Sequence, residues 1–216
     1  MMACGSTSSG TWQGPIVTVE APMSRAQRVR HVILDRDGVL NAEAADRGYI
    51  TRPDAWHWLP GSLEALEMLA HARVRVSVAT NQSGVGRGIM TLQDLAAVHD
   101  RMQQDTLAAG GRIDAVFACP HAPDARCVCR KPAPGLLMEA VAASGIAGDS
   151  TLVVGDDRRD IEAARSAGLQ AVLVRTGKGA EAAAALTQER VPVYDDLRAL
   201  VRELIAAPGA TGSNDP

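Results

Sequence analysis

Residues 31–41 read HVILDRDGVLN, an apolar run that leads directly into two acidic residues. The run His31–Leu34 has the length and the β-branched content of a buried strand. Because side chains alternate along a strand, Asp35 and Asp37 are predicted to point to the same side, with Arg36 turned away from them. The stretch therefore predicts a strand that carries two neighbouring carboxylates at its carboxyl end.

Short β-branched runs and helical patterns alternate along the chain after this strand. Apolar residues three or four positions apart predict the helices, and two of these segments end at a glycine, as helices commonly do. A β-α-β-α order produces a parallel sheet with helices on its faces. We therefore expect a doubly wound, Rossmann-like α/β fold that binds ligands at the carboxyl ends of its strands. The further predicted strands are Val74–Ala79, Ile113–Phe117, Thr151–Val154 and Ala171–Val174, and the predicted helices begin near Leu63, Thr91, Pro134, Arg158 and Glu181.

The composition predicts one globular domain with a tail at each end. The chain has 216 residues, of which 46% are apolar and 22% charged, with a formal charge of -3. We expect the domain at residues 28–207, and disorder in the segments 1–27 and 208–216, which are rich in Gly, Ser, Thr and Pro. The balanced charge argues against a nucleic-acid or membrane partner, and no apolar run reaches the roughly 18 residues of a bilayer span. We therefore expect a cytoplasmic, monomeric protein with a small-molecule substrate.

A third carboxylate, Asp156, ends another predicted strand. Carboxylates that lie close together repel each other unless a cation joins them, and carboxylate oxygens are ligands that Mg²⁺ prefers. Asp35, Asp37 and Asp156 therefore predict a magnesium site. The alternative is that each aspartate only caps a helix or a turn, which is the common role of a single aspartate at the end of a strand.

The second predicted strand runs into TNQSGVGRG, residues 80–88. The polar side chains of Thr80, Asn81, Gln82 and Ser83, with the glycines behind them, are able to surround a phosphate group. Glycine-rich turns are also common without a ligand, so both interpretations stay open here.

Only two of the 22 basic residues are lysines, Lys131 and Lys178. The rest of the chain uses arginine for positive charge. A lysine at position 131 therefore indicates that this position requires a compact ammonium group, for example to bind one phosphoryl oxygen. The alternative, a surface lysine without a role, is not excluded by composition.

Three cysteines and one histidine fall within eleven residues, at Cys119, His121, Cys127 and Cys129. Three sulfurs and an imidazole are the ligand set of a closed, structural Zn²⁺ site. Buried thiols without a metal are the weaker alternative, because the polar residues of the loop 119–129 predict exposure. We therefore predict a zinc loop that holds the following Arg-Lys pair rigidly.

The order of these motifs resembles the haloacid dehalogenase superfamily and, within it, the phosphatases of heptose bisphosphates. The resemblance covers roughly residues 30–205, and its most specific part is the zinc loop joined to Arg-Lys-Pro. It implies a fold without a large cap domain. The motifs that carry it are DRDGVLN at 35–41, TNQSG at 80–84, CPH at 119–121, CVCRKP at 127–132 and GD at 155–156.

The resemblance also implies a mechanism. Asp35 would be the nucleophile that forms an aspartyl-phosphate, and Asp37 would protonate the leaving oxygen and then activate water. Mg²⁺ would bind Asp35, the main-chain carbonyl of Asp37, and Asp156. Thr80 and Lys131 would hold the phosphoryl group that is transferred.

The implied substrate is a heptose 1,7-bisphosphate that loses its C7 phosphate, a step in nucleotide-activated heptose biosynthesis. Arg130 is the leading candidate for recognising the rest of the substrate, because a bisphosphate needs cations beyond those of the reacting centre. Shielding from water is expected from loops. The residues expected to contact substrate are Asn81, Gln82, Ser83, Arg130, Asp46, Arg47, Gly48 and Tyr49.

Two departures from the heptose phosphatases affect these expectations. The loop between Asn41 and Gly48 is a few residues longer than usual, and Asp157 stands where many of these enzymes have lysine. The first bears on the sugar contacts and the second on the charge beside the metal.

Two other functions compete with this one. Histidinol-phosphate phosphatases share the nucleophile, the zinc loop and Arg-Lys-Pro, whereas residues 80–88 and the pair Gly48-Tyr49 favour the heptose enzymes. A zinc-stabilised binding module without catalysis is the other candidate. The simultaneous presence of Asp35, Lys131 and Asp156 argues against it, because a pure binder does not need all of them.

Overall fold

The computed structural model describes residues 29–44, 48–186 and 189–206. Its centre is a sheet of six strands in the order β3-β2-β1-β4-β5-β6, and every pair of neighbours is parallel. The predicted doubly wound α/β fold is therefore confirmed. The strands are β1 His31–Leu34, β2 Arg75–Asn81, β3 Ala115–Cys119, β4 Thr151–Gly155, β5 Gln170–Val174 and β6 Val193–Tyr194.

In the described residues, six α-helices cover the two faces of this sheet. Alternate residues of β1 face opposite sides: Val32 and Leu34 pack in one core, and Ile33 in the other. The first core contains apolar residues of α1, α2 and α6, and the second contains those of α3 and α4. A strand buried on both faces needs the continuous apolar run seen at 31–34. The helices are α1 Ser62–His71, α2 Leu92–Ala108, α3 Gly135–Ser144, α4 Arg158–Ser166, α5 Gly179–Ala185 and α6 Leu197–Ala206.

The register of the sheet brings the carboxyl ends of three strands to one edge. Leu34, the last residue of β1, lies beside Val78 of β2 and Val154 of β4. The chain order reverses at β1, because β1 lies between β2 and β4. The crevice beyond such a reversal is where doubly wound sheets bind ligands.

Several boundaries differ from those that the sequence predicts. β2 and β3 each reach two residues farther, to Asn81 and Cys119, so the four predicted loop positions 80, 81, 118 and 119 are strand residues. β6 and α6 are additional elements. The predicted disordered segments 1–27 and 208–216 lie outside the described residues, and the domain limits stay a prediction.

The described residues contain no large inserted domain. Between β1 and β2 they form one short 3₁₀ helix, Pro53–Ala55, and α1, and between β2 and β3 they form α2. None of the described helices has both the length and the apolar content that crossing a bilayer requires.

Candidate active site

A cavity of about 200 Å³ opens at the carboxyl ends of β1, β2 and β4. It gathers most of the residues that the sequence predicts for catalysis, magnesium and substrate. Asp46 and Arg47, predicted to contact substrate, lie outside the described residues. The predicted residues that line the cavity are Asp35, Asp37, Gly48, Tyr49, Thr80, Asn81, Gln82, Ser83, Arg130, Lys131 and Asp156.

A buried lysine lies between two carboxylates at the floor of this cavity. Lys131 Nζ is 3.0 Å from Asp35 Oδ1 and 2.5 Å from Asp160 Oδ1, and its side chain is 3% exposed. Burial lowers the pKa of Lys131, but the charges of Asp160 and Asp35 outweigh burial and raise it. The ammonium is therefore fully charged at neutral pH and directly beside the predicted nucleophile.

The carboxylates of Asp35, Asp156 and Asp160 form a tight acidic group, with oxygens all within 4.8 Å of one another. Burial, followed by the charge of Asp35, raises the pKa of Asp156 to about 8. Burial also raises the pKa of Asp35 to about 6, against the opposing charge of Lys131. Oxygen donors that resist ionising together are a suitable site for a divalent cation, which removes the repulsion. The donor set therefore fits Mg²⁺.

The carboxylate of Asp37 is held separately from this acidic group. Arg36 Nη2 donates to both of its oxygens at 3.0 Å, Asn41 Nδ2 donates to Oδ1 at 2.9 Å, and Gln82 Nε2 donates to Oδ2 at 2.8 Å. Burial raises the pKa of Asp37, but Arg36 and the amides of Asn41 and Gln82 lower it overall. Asp37 is thus ionised and fixed in orientation in the free protein.

The prediction that Arg36 is turned away from the aspartates is wrong. Strand β1 ends at Leu34, so the alternation of side chains does not continue through the turn that follows. Arg36 instead bends back toward Asp37 and is 1% exposed. Its Nη1 lies 3.2 Å from His99 Nε2, and its guanidinium lies 5.7 Å from the centre of the Trp56 ring.

His99 is the neutral neighbour of this buried cation. Burial, followed by the charge of Arg36, lowers the pKa of His99 to about 4. A neutral imidazole is able to accept the Nη1 hydrogen bond without adding a second positive charge. The sequence contains no signal for this contact, because His99 lies on α2, 63 residues from Arg36.

The residues at the end of β2 connect the two halves of the site. Asn81 Oδ1 accepts from the main-chain N–H of Lys131 and Asn81 Nδ2 donates to its carbonyl, both at 3.0 Å. Gln82 Nε2 also donates to Thr80 Oγ1 at 2.9 Å. Asn81 and Gln82 are therefore engaged inside the protein, where they position Lys131 and Asp37. Direct substrate contact by either amide stays a prediction.

The four residues of the predicted zinc loop converge on one point. Cys129 Sγ lies 3.2 Å from Cys119 Sγ and 3.4 Å from Cys127 Sγ, and His121 Nδ1 lies 3.2 Å from Cys129 Sγ. Four ligands around Zn²⁺ with Zn–S distances near 2.3 Å would lie about 3.7 Å apart. The cluster thus has nearly the size of a tetrahedral metal site, and it is one of two groups among the described residues with donor atoms close enough together to hold a metal ion.

The predicted zinc loop, residues 119–129, also contacts Arg130, the predicted recognition residue. Arg130 lines the cavity, and its Nη1 lies 3.5 Å from the main-chain carbonyl of His121. The cation is thereby placed at the wall of the cavity, next to Lys131. This arrangement fits recognition of a second anionic group.

Six further charged residues line the cavity without having been predicted as site residues: Arg36, Glu43, Asp157, Arg159, Asp160 and Lys178. Lys178 forms an ion pair with Glu43. Arg159 donates to both carboxylate oxygens of Asp157, at 3.1 and 2.8 Å. The rarity of lysine in the chain was the available signal for Lys178.

Comparisons with known proteins find relatives along most of the chain. A family model described as HAD-hyrolase-like matches residues 128–200. D-glycero-beta-D-manno-heptose-1,7-bisphosphate 7-phosphatase of Pseudomonas putida is 42% identical over 174 residues, covering 81% of this chain and 98% of that protein. D-glycero-alpha-D-manno-heptose-1,7-bisphosphate 7-phosphatase of Mycobacterium tuberculosis is 37% identical over 148 residues, covering 65% of this chain and 76% of that protein.

Solved structures show the same likeness. D,D-heptose 1,7-bisphosphate phosphatase from Bordetella bronchiseptica, in a complex with magnesium and phosphate, superimposes with a TM-score of 0.75. It is 41% identical, and the match covers 82% of this chain and 98% of that one. Nearly the whole length of that enzyme is therefore represented in this chain.

Proposed function

The chain belongs to the heptose 1,7-bisphosphate 7-phosphatase family of haloacid dehalogenase-like hydrolases, and we propose that it hydrolyses the C7 phosphate of D-glycero-D-manno-heptose 1,7-bisphosphate. The observation that carries this proposal is the position of Lys131 Nζ, 3.0 Å from Asp35 Oδ1. A nucleophilic carboxylate and a buried ammonium at one point are what transfer of a phosphoryl group requires.

The first chemical step uses Asp35 as the nucleophile. One of its oxygens attacks phosphorus, the bond from phosphorus to the C7 oxygen breaks, and an aspartyl-phosphate forms. Lys131 and Thr80 bind the oxygens of the phosphoryl group while charge shifts toward the leaving oxygen. Asp37 supplies the proton that this oxygen takes. The incoming phosphate raises the pKa of Asp37, because it brings negative charge beside a carboxylate that is otherwise held ionised.

The second step hydrolyses the aspartyl-phosphate. Asp37, now ionised again, removes a proton from water, whose oxygen attacks phosphorus and releases Asp35 and inorganic phosphate. The hydrogen bonds from Arg36, Asn41 and Gln82 keep the carboxylate of Asp37 in the orientation needed for both proton transfers. These contacts favour its role as the base.

Two metal ions are part of the proposal. Asp35, Asp156 and the main-chain carbonyl of Asp37 would bind Mg²⁺, which when bound neutralises charge on the transferring phosphoryl group. Cys119, His121, Cys127 and Cys129 would bind Zn²⁺. With all four positions filled by protein, this zinc has a structural role and no place for substrate.

Measurement of phosphate release from both anomers of the heptose bisphosphate tests the proposal. We expect the β anomer to be preferred. The Pseudomonas putida relative, which is named for the β anomer, is 42% identical to this chain, whereas the Mycobacterium tuberculosis relative, named for the α anomer, is 37% identical. Histidinol phosphate and fructose 1,6-bisphosphate serve as comparison substrates. Activity should disappear on complete removal of Mg²⁺ and return when Mg²⁺ is restored. Faster hydrolysis of histidinol phosphate than of either heptose anomer would refute the proposed substrate.

A further inference from the structure

Both lysines of this arginine-rich chain line the same cavity. Lys131 is bound to Asp35 and Asp160 at the reacting centre. Lys178 forms an ion pair with Glu43. We propose that Lys178 binds the second phosphate of the substrate, the one that is not transferred, and that Glu43 occupies this ammonium in the free protein. The inference rests on the proposed function and adds a residue that determines specificity.

The main chain at Lys178 is fixed against the catalytic turn. Lys178 N donates to Asp156 Oδ2 at 2.8 Å, and Thr176 Oγ1 donates to the carbonyl of Gly38 at 2.6 Å. Between them, Gly177 has φ +58°, and a Cβ there would lie 2.1 Å from Asp156 Oδ2. Only glycine permits this close approach. The backbone of Lys178 is therefore placed as accurately as Asp156 itself.

The tip of the Lys178 side chain, in contrast, is accessible to a ligand. The side chains of Lys178 and Glu43 are 33% and 27% exposed. A half-exposed ion pair of this kind contributes little to stability, so exchanging its carboxylate for another anion costs little. A phosphate dianion carries more charge than a carboxylate and offers three acceptor oxygens, and it is the better partner for an ammonium.

Other cations that line the cavity are already bound to acidic groups. Arg36 is paired with Asp37 and is 1% exposed. Arg159 binds both oxygens of Asp157. In the described part of the chain the remaining cations of the cavity lining are Arg130 and Lys178, whose partner Glu43 is partly exposed and holds no second cation in an ion pair. A second phosphate with about two negative charges needs cations of this kind.

Asp157 and Arg159 line the cavity together with Lys178 and are paired with each other. Here Asp157 accepts from the main-chain N–H of Arg159 and caps α4, and its charge is balanced by the Arg159 side chain. No net positive charge therefore comes from this pair. Lys178, whose partner Glu43 follows the catalytic turn, is the cation available beside this pair.

The test compares two substrates that differ only in the second phosphate: the heptose 1,7-bisphosphate and the heptose 7-phosphate. For Lys178→Met we expect kcat/KM for the bisphosphate to fall about 10-fold or more, mainly through KM, because one charge-assisted contact is lost. For the 7-phosphate kcat/KM should stay within about twofold. Lys178→Arg, which keeps the charge, should retain most of the activity on the bisphosphate.

Two further variants make the test specific. Glu43→Gln removes the competing carboxylate and should lower KM for the bisphosphate alone, by about 2- to 5-fold. Arg175→Met is the matched control: Arg175 is 53% exposed, pairs with Asp195 and is not part of the cavity lining. It removes the same charge from the same loop and should leave both substrates unaffected.

Each failure has its own signature. Equal losses of Lys178→Met on both substrates, or no loss on either, would overturn the role of Lys178 while the unsubstituted protein remains active. An unsubstituted protein that releases phosphate from neither sugar would overturn the proposed function, and this inference with it.

Discussion

At the scale of the residue, Arg36 is a positioning residue for Asp37. Its guanidinium binds both oxygens of Asp37 and is itself held by His99 and the ring of Trp56. We expect Arg36→Met to lower kcat by about 10- to 100-fold, because the proton donor and acceptor loses its fixed orientation. Arg36→Lys should recover part of the loss. Turnover of the heptose substrate gives the first measurement.

A second measurement separates positioning from general damage to the fold. 4-Nitrophenyl phosphate has a leaving group that needs no proton, so Arg36→Met should still form the aspartyl-phosphate at a normal rate. Hydrolysis of the aspartyl-phosphate needs Asp37 as base and should become slow in this variant. Rapid mixing should then show a burst of nitrophenolate equal to the enzyme concentration. A steady rate with no burst, reduced by the same factor as the sugar reaction, would contradict this role.

Substitution of Asp35 is predicted to abolish activity completely. Asp35→Asn keeps the shape of the side chain but removes its nucleophilic oxygen, so phosphate release should disappear. The fold should remain, because the substitution also removes a carboxylate that burial and neighbouring acids keep difficult to ionise. Circular dichroism checks the fold. A variant with normal turnover would exclude Asp35 as the nucleophile.

Motif residues and their partners differ in how far sequence predicts them. Asp35, Thr80 and Asp156 meet at one edge because each follows or ends a parallel strand, and parallel strands share that edge, whereas Lys131 is brought there by the loop that follows β3. The direction of Arg36 was not predictable from strand alternation, since it lies beyond the strand. Its partner on α2 is distant in sequence and depends on packing.

At the scale of the element, the stability of the predicted zinc loop, residues 119–129, is expected to depend on its metal ligands. Cys127→Ser should lose bound zinc and lower the temperature of unfolding, because metal binding and folding of such a loop are coupled. Val128→Ser is the control: this neighbour is 82% exposed and offers no sulfur. Mass spectrometry of the metal and calorimetry measure both effects. Full zinc content in Cys127→Ser would remove this residue from the ligand set.

Helices with a clear start were the predictable elements. α2 follows Thr91, whose side chain accepts from the N–H of Asp94, and Asp94 in turn accepts from Thr91 N. This reciprocal pair identifies a helix start from the sequence. β6 has two residues, Val193–Tyr194, too few to show a period of two. Its place at the sheet edge comes from pairing with β5, which is a tertiary effect.

At the scale of the whole molecule, the end of the sheet opposite the site contains a buried histidine. His31 begins β1 and is fully buried, with Nε2 2.9 Å from Ser77 Oγ and Nδ1 3.3 Å from Thr151 Oγ1. Burial lowers its pKa to about 4, compared with about 6.5 for an unfolded chain. The sequence predicts that His31 lies in a strand. It does not predict that the imidazole is neutral, because this follows from burial between side chains of β2 and β4, which are distant in sequence.

This lowered pKa makes the stability of the protein depend on pH. Between pH 6.5 and 4 the unfolded chain binds a proton at His31 that the folded protein does not, so the contribution of His31 to the free energy of unfolding falls as the pH falls through this window. His99, with its pKa lowered to about 4, acts in the same direction. We expect His31→Gln to reduce the slope by up to ~1.4 kcal/mol per pH unit, the value for one proton. Urea unfolding at several pH values measures it.

The control for this experiment is a histidine in an exposed position. His71 lies at the end of α1 and is exposed, so His71→Gln should keep the slope of the unsubstituted protein. The His31 side chain is at the amino end of β1, whereas the cavity lies beyond its carboxyl end, and turnover near neutral pH should therefore be unchanged in both variants. If His31→Gln left the slope between pH 6.5 and 4 unchanged, the buried imidazole would not be the source of acid sensitivity, and His99 would have to account for it, because the raised pKa values of Asp35 and Asp156 act in the opposite direction.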